Sequence, residues 1–267
     1  MPADNGSWCH RNKRLCPVAD TNAPQAFSQT QSPSGSGPPD RSWKSLYKLG
    51  GTSTLIATLL VPAEIAISFF PSVEHATAHT VTVIDWFNLF QTNPFIALRN
   101  LGLLNVIGAI LLAPAILAVY SALKREREAY AALGTILFFV GIAVYLASSK
   151  AFPMLSLSRQ YMIATNDAQR SLLVSAGRAM LVEGQNRAGI LIIEFGCLVV
   201  SLVMLKGHAF SKATAYSGTL GNALMIVLEI AFLPPRGVGV IVAAGGGLST
   251  VIWYCLMGRR LLQLGRL

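Results

Sequence analysis

Residues 188–205 read AGILIIEFGCLVVSLVML, eighteen residues with a single charged side chain, Glu194, between Arg187 and Lys206. As a helix this run covers about 27 Å, close to the ~30 Å hydrocarbon core of a bilayer. Its Ile, Leu and Val do not alternate with polar residues, so a half-buried strand is excluded. A cation at each end places the flanks at water or lipid headgroups.

Five further runs have the same character, at about 46–70, 97–123, 129–149, 216–233 and 238–257. Trp43, Lys44, Tyr47 and Lys48 introduce the first, an interfacial mixture of aromatics and cations. The block Lys124, Arg125, Glu126, Arg127, Glu128 separates the second from the third, and Pro114 is expected to kink the second. Composition agrees: 12% of residues are charged and 53% hydrophobic, with mean hydropathy +0.53. That is about half the charge of an average soluble domain, too little to cover a water-facing surface. The expected fold class is an all-α integral membrane bundle of about six transmembrane helices over residues 43–267.

Residues 1–42 are rich in Ser, Pro, Gly, Asn and Gln, and cannot bury enough apolar area to offset ordering entropy. A disordered tail is expected there. It has no apolar stretch of signal-peptide type. Between the third and fourth runs, Leu172, Leu173, Ala176, Ala179 and Met180 recur at helical spacing, predicting an amphipathic helix over 167–183.

With the N-terminus in the cytosol, fourteen of the 21 Lys and Arg fall on the cytosolic side. The other seven are Arg99, Lys150, Arg159, Arg170, Arg178, Arg187 and Arg236. This bias predicts that both termini are cytosolic. The net charge of +9 sits beside apolar runs rather than in a basic stripe, which points to anionic headgroups and away from nucleic acid. The lipid bilayer is the expected partner. Gly239, Ala243 and Gly247, four apart, make a small-residue stripe suited to close helix approach, and the chain is compatible with an oligomer.

Several helix-end and loop signatures carry a resemblance. Tyr47-Lys48-Leu49-Gly50-Gly51 opens the first run, and Trp86-Phe87-Asn88-Leu89-Phe90-Gln91-Thr92-Asn93-Pro94 precedes the second. Leu155-Ser156-Leu157-Ser158-Arg159-Gln160-Tyr161, residues 165–170 and Ala213-Thr214-Ala215 follow. Together, over most of 45–260, they resemble the domain-of-unknown-function 4386 family of multi-pass membrane proteins. The resemblance implies a helical membrane bundle and brings no catalytic residue. The long tail departs from the usual short start of such proteins.

Ionisable groups inside a span are costly, so their positions are informative. Glu64 lies six residues before Phe70, Glu194 six after Ala188, and Glu229 five before Pro234. In the expected topology all three carboxylates lie about 8–9 Å below the same, non-cytosolic, face. Arg99 and Asn105 in the second run approach that level, and Asn222 shares a helical face with Glu229. The expectation is an outward-opening polar cavity. Glu64, Glu194 and Glu229 are its acid–base candidates. Arg99, Asn105 and Asn222 are binding candidates, and Trp86 belongs to a loop acting as a partial lid. Structural anchoring of each acid by Arg187 or Arg236 is the plainer alternative. His75 and His79 are four apart but have no clear third ligand, so no metal is expected.

There is no P-loop, GxSxG elbow, HExxH or cysteine cluster. ATP-driven transport, serine hydrolysis and zinc proteolysis therefore lose support, and no metal or nucleotide cofactor is expected. The leading functional expectation is a membrane-embedded isomerase or cyclase, cycloaddition included, for a lipophilic small molecule. A proton-coupled transporter or exporter and a non-catalytic membrane partner protein are the alternatives.

Overall fold

The computed structural model describes residues 41–68, 82–181, 187–231 and 237–266, without the side chains of 41–42 and 64–68. All belong to the unit Pro39–Leu267. The predicted tail up to residue 40, with His75 and His79, lies outside the described residues. Within them the chain forms nine helices and no strand: α1 (Arg41–Ser68), α2 (Val83–Thr92), α3 (Pro94–Asn100), α4 (Leu103–Ala147), α5 (Ala151–Ile163), α6 (Asp167–Met180), α7 (Arg187–Lys206), α8 (Lys212–Ile230) and α9 (Val238–Leu264).

A straight helix of α4's length would extend about 67 Å. Yet a Cβ placed on Gly102, just before its start, would lie 3.8 Å from the hydroxyl of Tyr145 near its end. The helix must therefore fold back on itself. It does so at Arg127, whose φ of −149° and ψ of 69° break the helical run, inside the charged block that separates two apolar stretches. Glu126 fastens this turn by accepting a 2.8 Å hydrogen bond from the backbone N–H of His208, in the α7–α8 connection.

With α4 counted as two arms, 103–126 and 128–147, six helical rods run antiparallel in chain order. One end, called the near end here, gathers the start of α1, the α4 turn, the α7–α8 connection and the end of α9. Tyr47 bonds Ser121 there at 3.1 Å, and Arg260 Nε donates to the Ala209 carbonyl at 2.7 Å. The far end gathers Gly102, Tyr145, the start of α7 and the end of α8.

Glycines set how closely the rods approach. The second arm of α4 and α7 meet at two levels, through Gly134 with Gly196 and through Gly141 with Gly189. A Cβ on Gly196 would lie 2.8 Å from the Gly134 carbonyl oxygen, and one on Gly141 would lie 3.1 Å from that of Gly189. Each pair member is seven residues from the next on its own helix, two turns along one face. Gly50 similarly admits Pro114 and Ala118 of α4 to α1, and Gly51 admits Gly258 of α9. Around these contacts a core forms from Phe138, Ile116, Leu123, Val200, Met204, Trp253 and Met257.

Three stretches of described helix are long and apolar enough to cross a membrane: Leu103–Ile163, Arg187–Lys206 and Val238–Leu264. Their outer faces are apolar too, with Ile110, Ile136, Leu202, Ile241 and Leu248 exposed. α1 and α8 carry more hydroxyls and amides, which return to their own helix. Thr54 donates to the Gly50 carbonyl at 2.6 Å, Thr58 to Thr54 at 2.8 Å and Asn222 to Gly218 at 2.6 Å. Bonds of this kind satisfy a polar side chain without water.

The second apolar run differs from the expectation. It was expected to be continuous from residue 97, but α3 and α4 are separate helices. Asn93 caps α3 by accepting from the Ile96 N–H, Pro94 starts it, and Gly102 ends it with φ of 93°, where glycine has no Cβ to clash. Leu103 therefore begins the rod, and the helix continues through Pro114. The predicted amphipathic helix is α6, which starts at Asp167 and ends at Met180; residues 182–186 lie outside the described residues.

Helices α2, α3, α5 and α6 form a separate layer at the far end around Val83, Phe87, Phe90, Ala97 and Met154. The buried Ser158 hydroxyl of α5 latches α2, donating to the Phe87 carbonyl and accepting from Gln91, both at 3.1 Å. Thr82 and Asp85 cap α2 reciprocally. The Thr82 hydroxyl and backbone N–H hold the Asp85 carboxyl below its ordinary value of 3.8. Depression of an acid's folded-state value stabilises the fold above the unfolded value, and that gain disappears as pH falls through the folded one. The protection of amides in the first turn of α2 against exchange is therefore expected to be full at neutral pH and to fall only below about pH 3.8, whereas Asp85→Ala lowers it at neutral pH and removes its acid dependence.

Candidate functional site

Inside the ring of rods, toward the far end, lies a cavity of about 280 Å³. Helix α1 contributes Ala57, Leu60 and Val61. The first arm of α4 contributes Leu104, Asn105, Gly108, Ala109 and Leu112, and the second Phe138, Ile142 and Tyr145. Ile190, Ile193 and Glu194 come from α7, Met225 and Glu229 from α8, and Tyr254 from α9. The wall is thus an apolar surface with three aromatic rings and two carboxylates.

The two carboxylates have different surroundings. Glu229 Oε2 is 3.9 Å from Arg187 Nε, and Arg187 also donates to the Glu229 carbonyl at 3.4 Å. This is the anchoring that sequence reading held as the plainer alternative. Glu194 has a buried carboxylate oxygen, Oε2, with no hydrogen-bond partner among the described residues. A buried polar atom left unpaired costs about 1–3 kcal/mol, more when charged. Arg187→Ala is expected to lower thermal stability by about 1–2 kcal/mol by exposing Glu229 to a half-dry wall without its cation. Arg187→Ala combined with Glu229→Ala should recover part of that loss in the same melting experiment.

The residues expected from sequence separate into groups. Glu194, Glu229 and Asn105 meet at the cavity, with Asn105 exposed at its rim. Glu64 lies on α1 one turn beyond Leu60 and Val61, and its side chain is outside the described residues. Arg99 is buried on α3 at 8% exposure and does not line the cavity; the cation beside Glu229 is Arg187. Asn222 is buried between helices and bonded within α8, about 10 Å along the axis from Glu229. Trp86 packs half-buried against the core of the far-end layer.

Residues that sequence reading did not single out are Phe138, Tyr145, Tyr254 and Gly108. Phe138, Ile142 and Tyr145 repeat at i, i+4 and i+7, so their common face was visible in the sequence. What that face meets was not. Gly108 is part of the wall, and a Cβ there would have nothing within 4 Å.

Among the described residues no group of three His, Cys, Asp or Glu side chains could hold a metal ion. No family model matches the chain, and it matches no curated protein and no solved structure.

Proposed function

We propose that the chain crosses the membrane six times with both termini in the cytosol, and that its cavity binds a lipophilic small molecule for acid–base isomerisation or cyclisation. The observation that carries this reading is the buried Glu194 oxygen, without a hydrogen-bond partner among the described residues, in a largely apolar wall. The charge distribution supports the topology: Lys44, Lys48, Lys124, Arg125, Arg127, Lys206, Lys212, Arg259 and Arg260 lie toward the near end, the side retained in the cytosol. Lys124 Nζ rests 4.3 Å from the Trp43 ring there, a pairing suited to a headgroup region. The likeness of the helix-end motifs to the domain-of-unknown-function 4386 family is part of the same proposal and supplies no chemistry.

In this mechanism the apolar wall holds two reacting parts of one molecule together. Glu194, as the neutral acid, gives its proton to an alkene carbon. The π pair of a second alkene closes the ring, and an adjacent C–H proton returns to a carboxylate. Reactant and product are isomers, and no oxidant is consumed. Glu229 is kept in place by Arg187. Asn105 orients a polar group at the rim.

The presence of two carboxylates in one cavity, one of them paired with Arg187, also favours a second reading, proton-coupled transport. Comparative metabolite profiling of cells with and without the gene separates the two. Under the enzyme reading, deletion makes a lipophilic compound accumulate while its isomer disappears. If the same compounds are made but partition differently between cells and medium, transport replaces catalysis.

A further inference from the structure

The cavity wall holds two carboxylates, and one nearby guanidinium is engaged with Glu229. Glu194 has no ion-pair partner among the described residues, and one of its oxygens has no hydrogen bond. The rings of Phe138, Tyr145 and Tyr254 share the wall with it. An anionic ligand would meet two carboxylates. A neutral polyol would face aliphatic walls, with the Asn105 amide only at the rim. A compact cation with an apolar skeleton fits both features, since a buried carboxylate is stabilised by a direct counter-ion and an aromatic face attracts positive charge.

We propose that the cavity is a binding site for a lipophilic organic cation, such as a protonated amine. Its charge lies between Glu194 and the aromatic rings, and its skeleton lies against Leu60, Leu112 and Ile142. The inference rests on the lipophile-binding reading above and names the ligand class. If the amine enters uncharged and the carboxyl is neutral, its nitrogen lone pair takes the Glu194 proton, leaving an ammonium–carboxylate pair. In the acid–base reaction the same place stabilises the positive charge created on carbon by protonation. Gly108 leaves the space into which the skeleton extends.

The test uses the full chain in phosphatidylcholine nanodiscs, titrated calorimetrically with 1-adamantanamine and with its neutral isostere 1-adamantanol. The amine is expected to bind at least about tenfold more tightly, a difference of about 1.4 kcal/mol. Glu194→Gln should abolish that preference by weakening amine binding about tenfold, and Gly108→Leu should weaken both ligands. Equal affinity for the two ligands in the unmodified protein overturns the cation assignment and needs no variant. A preference that survives Glu194→Gln in a protein with unchanged melting temperature also overturns it. If the unmodified protein binds the two ligands equally and Gly108→Leu weakens both, the lipophile site stands while the cation class falls. If neither ligand binds, both readings fall.

Discussion

Gly196→Leu is expected to prevent the chain from accumulating as a folded protein, whereas Gly247→Leu leaves its stability within about 0.5 kcal/mol of the parent. At Gly196 even a methyl carbon would lie 2.6 Å from the Phe138 nitrogen and 2.8 Å from the Gly134 carbonyl oxygen. Both are backbone atoms, so no side-chain rotation relieves the clash. The second arm of α4 and α7 would have to move apart, opening the paired Gly134–Gly196 and Gly141–Gly189 contacts together. Overpacking in a core ordinarily costs about 1–3 kcal/mol. A leucine against backbone on both sides exceeds that range, and the whole stability of a domain is only about 5–15 kcal/mol. Gly196→Ala is the graded version and should still express, with a lower melting temperature. Gly247 has nothing within 4 Å of its missing Cβ, so leucine there meets open space. The fraction of monodisperse protein recovered in detergent, together with thermal melting, checks all three. Normal recovery of Gly196→Leu would show that α4 and α7 do not pack through these glycines.

Glu194→Gln is expected to lower kcat by about 10²–10⁴-fold, the usual contribution of a positioned acid or base, equivalent to about 3–5 kcal/mol of barrier. Glutamine preserves the shape of the side chain and can still hydrogen-bond, so KM for a neutral substrate should change little. What it loses is the proton. Glu229→Gln is expected to behave differently, because Glu229 is tied to Arg187 at 3.9 Å: melting temperature and turnover should fall together. The split between the two variants, measured on the substrate found by metabolite profiling, distinguishes a proton-transferring group from a structural anchor. Unchanged turnover in Glu194→Gln would remove this residue from the chemistry.

Much of the helical arrangement was legible because spans obey length and charge. The apolar runs at 129–149, 188–205 and 238–257 correspond to helical rods, and the start of α6 at Asp167 follows from its polar–apolar periodicity. Counting residues from the ends also put Glu194 and Glu229 at one level, and both line the cavity, since depth along a helix scales simply with residue number. Direction around the axis is harder. Gly239, Ala243 and Gly247 make a clean stripe in sequence, yet α9 approaches α8 through Gly246, beside Leu224 and Met225, and approaches α1 through Gly258. More than half of the residues in that part of α9 are small, with Ala243 to Gly247 unbroken, so several faces were equally plausible.

Arg99 shows a second kind of loss. By residue counting it stands in the first turn of a span, near the carboxylates. The positive φ of Gly102 separates α3 from α4, and Arg99 is buried with α3 instead. A one-residue change in backbone direction moves every side chain before it, and Gly alone, among many glycines here, does not announce which one turns the chain. Trp86 was placed on a loop. It lies on α2, whose Thr82–Asp85 cap was readable as a Thr-x-x-acid pattern.

By itself the sequence determined an all-helical chain with apolar rods, where those rods start and stop to within about seven residues, and that Glu194 and Glu229 lie at a similar level. These depend on local terms: hydrophobic length, periodicity and charge at the ends. Only the tertiary structure decided that Arg187 and not Arg99 accompanies Glu229, and that Phe138, Tyr145 and Tyr254 share a wall with Glu194. Those facts depend on the rotation of each helix about its axis, which is fixed by backbone-to-backbone contacts at a few glycines between segments far apart in the chain.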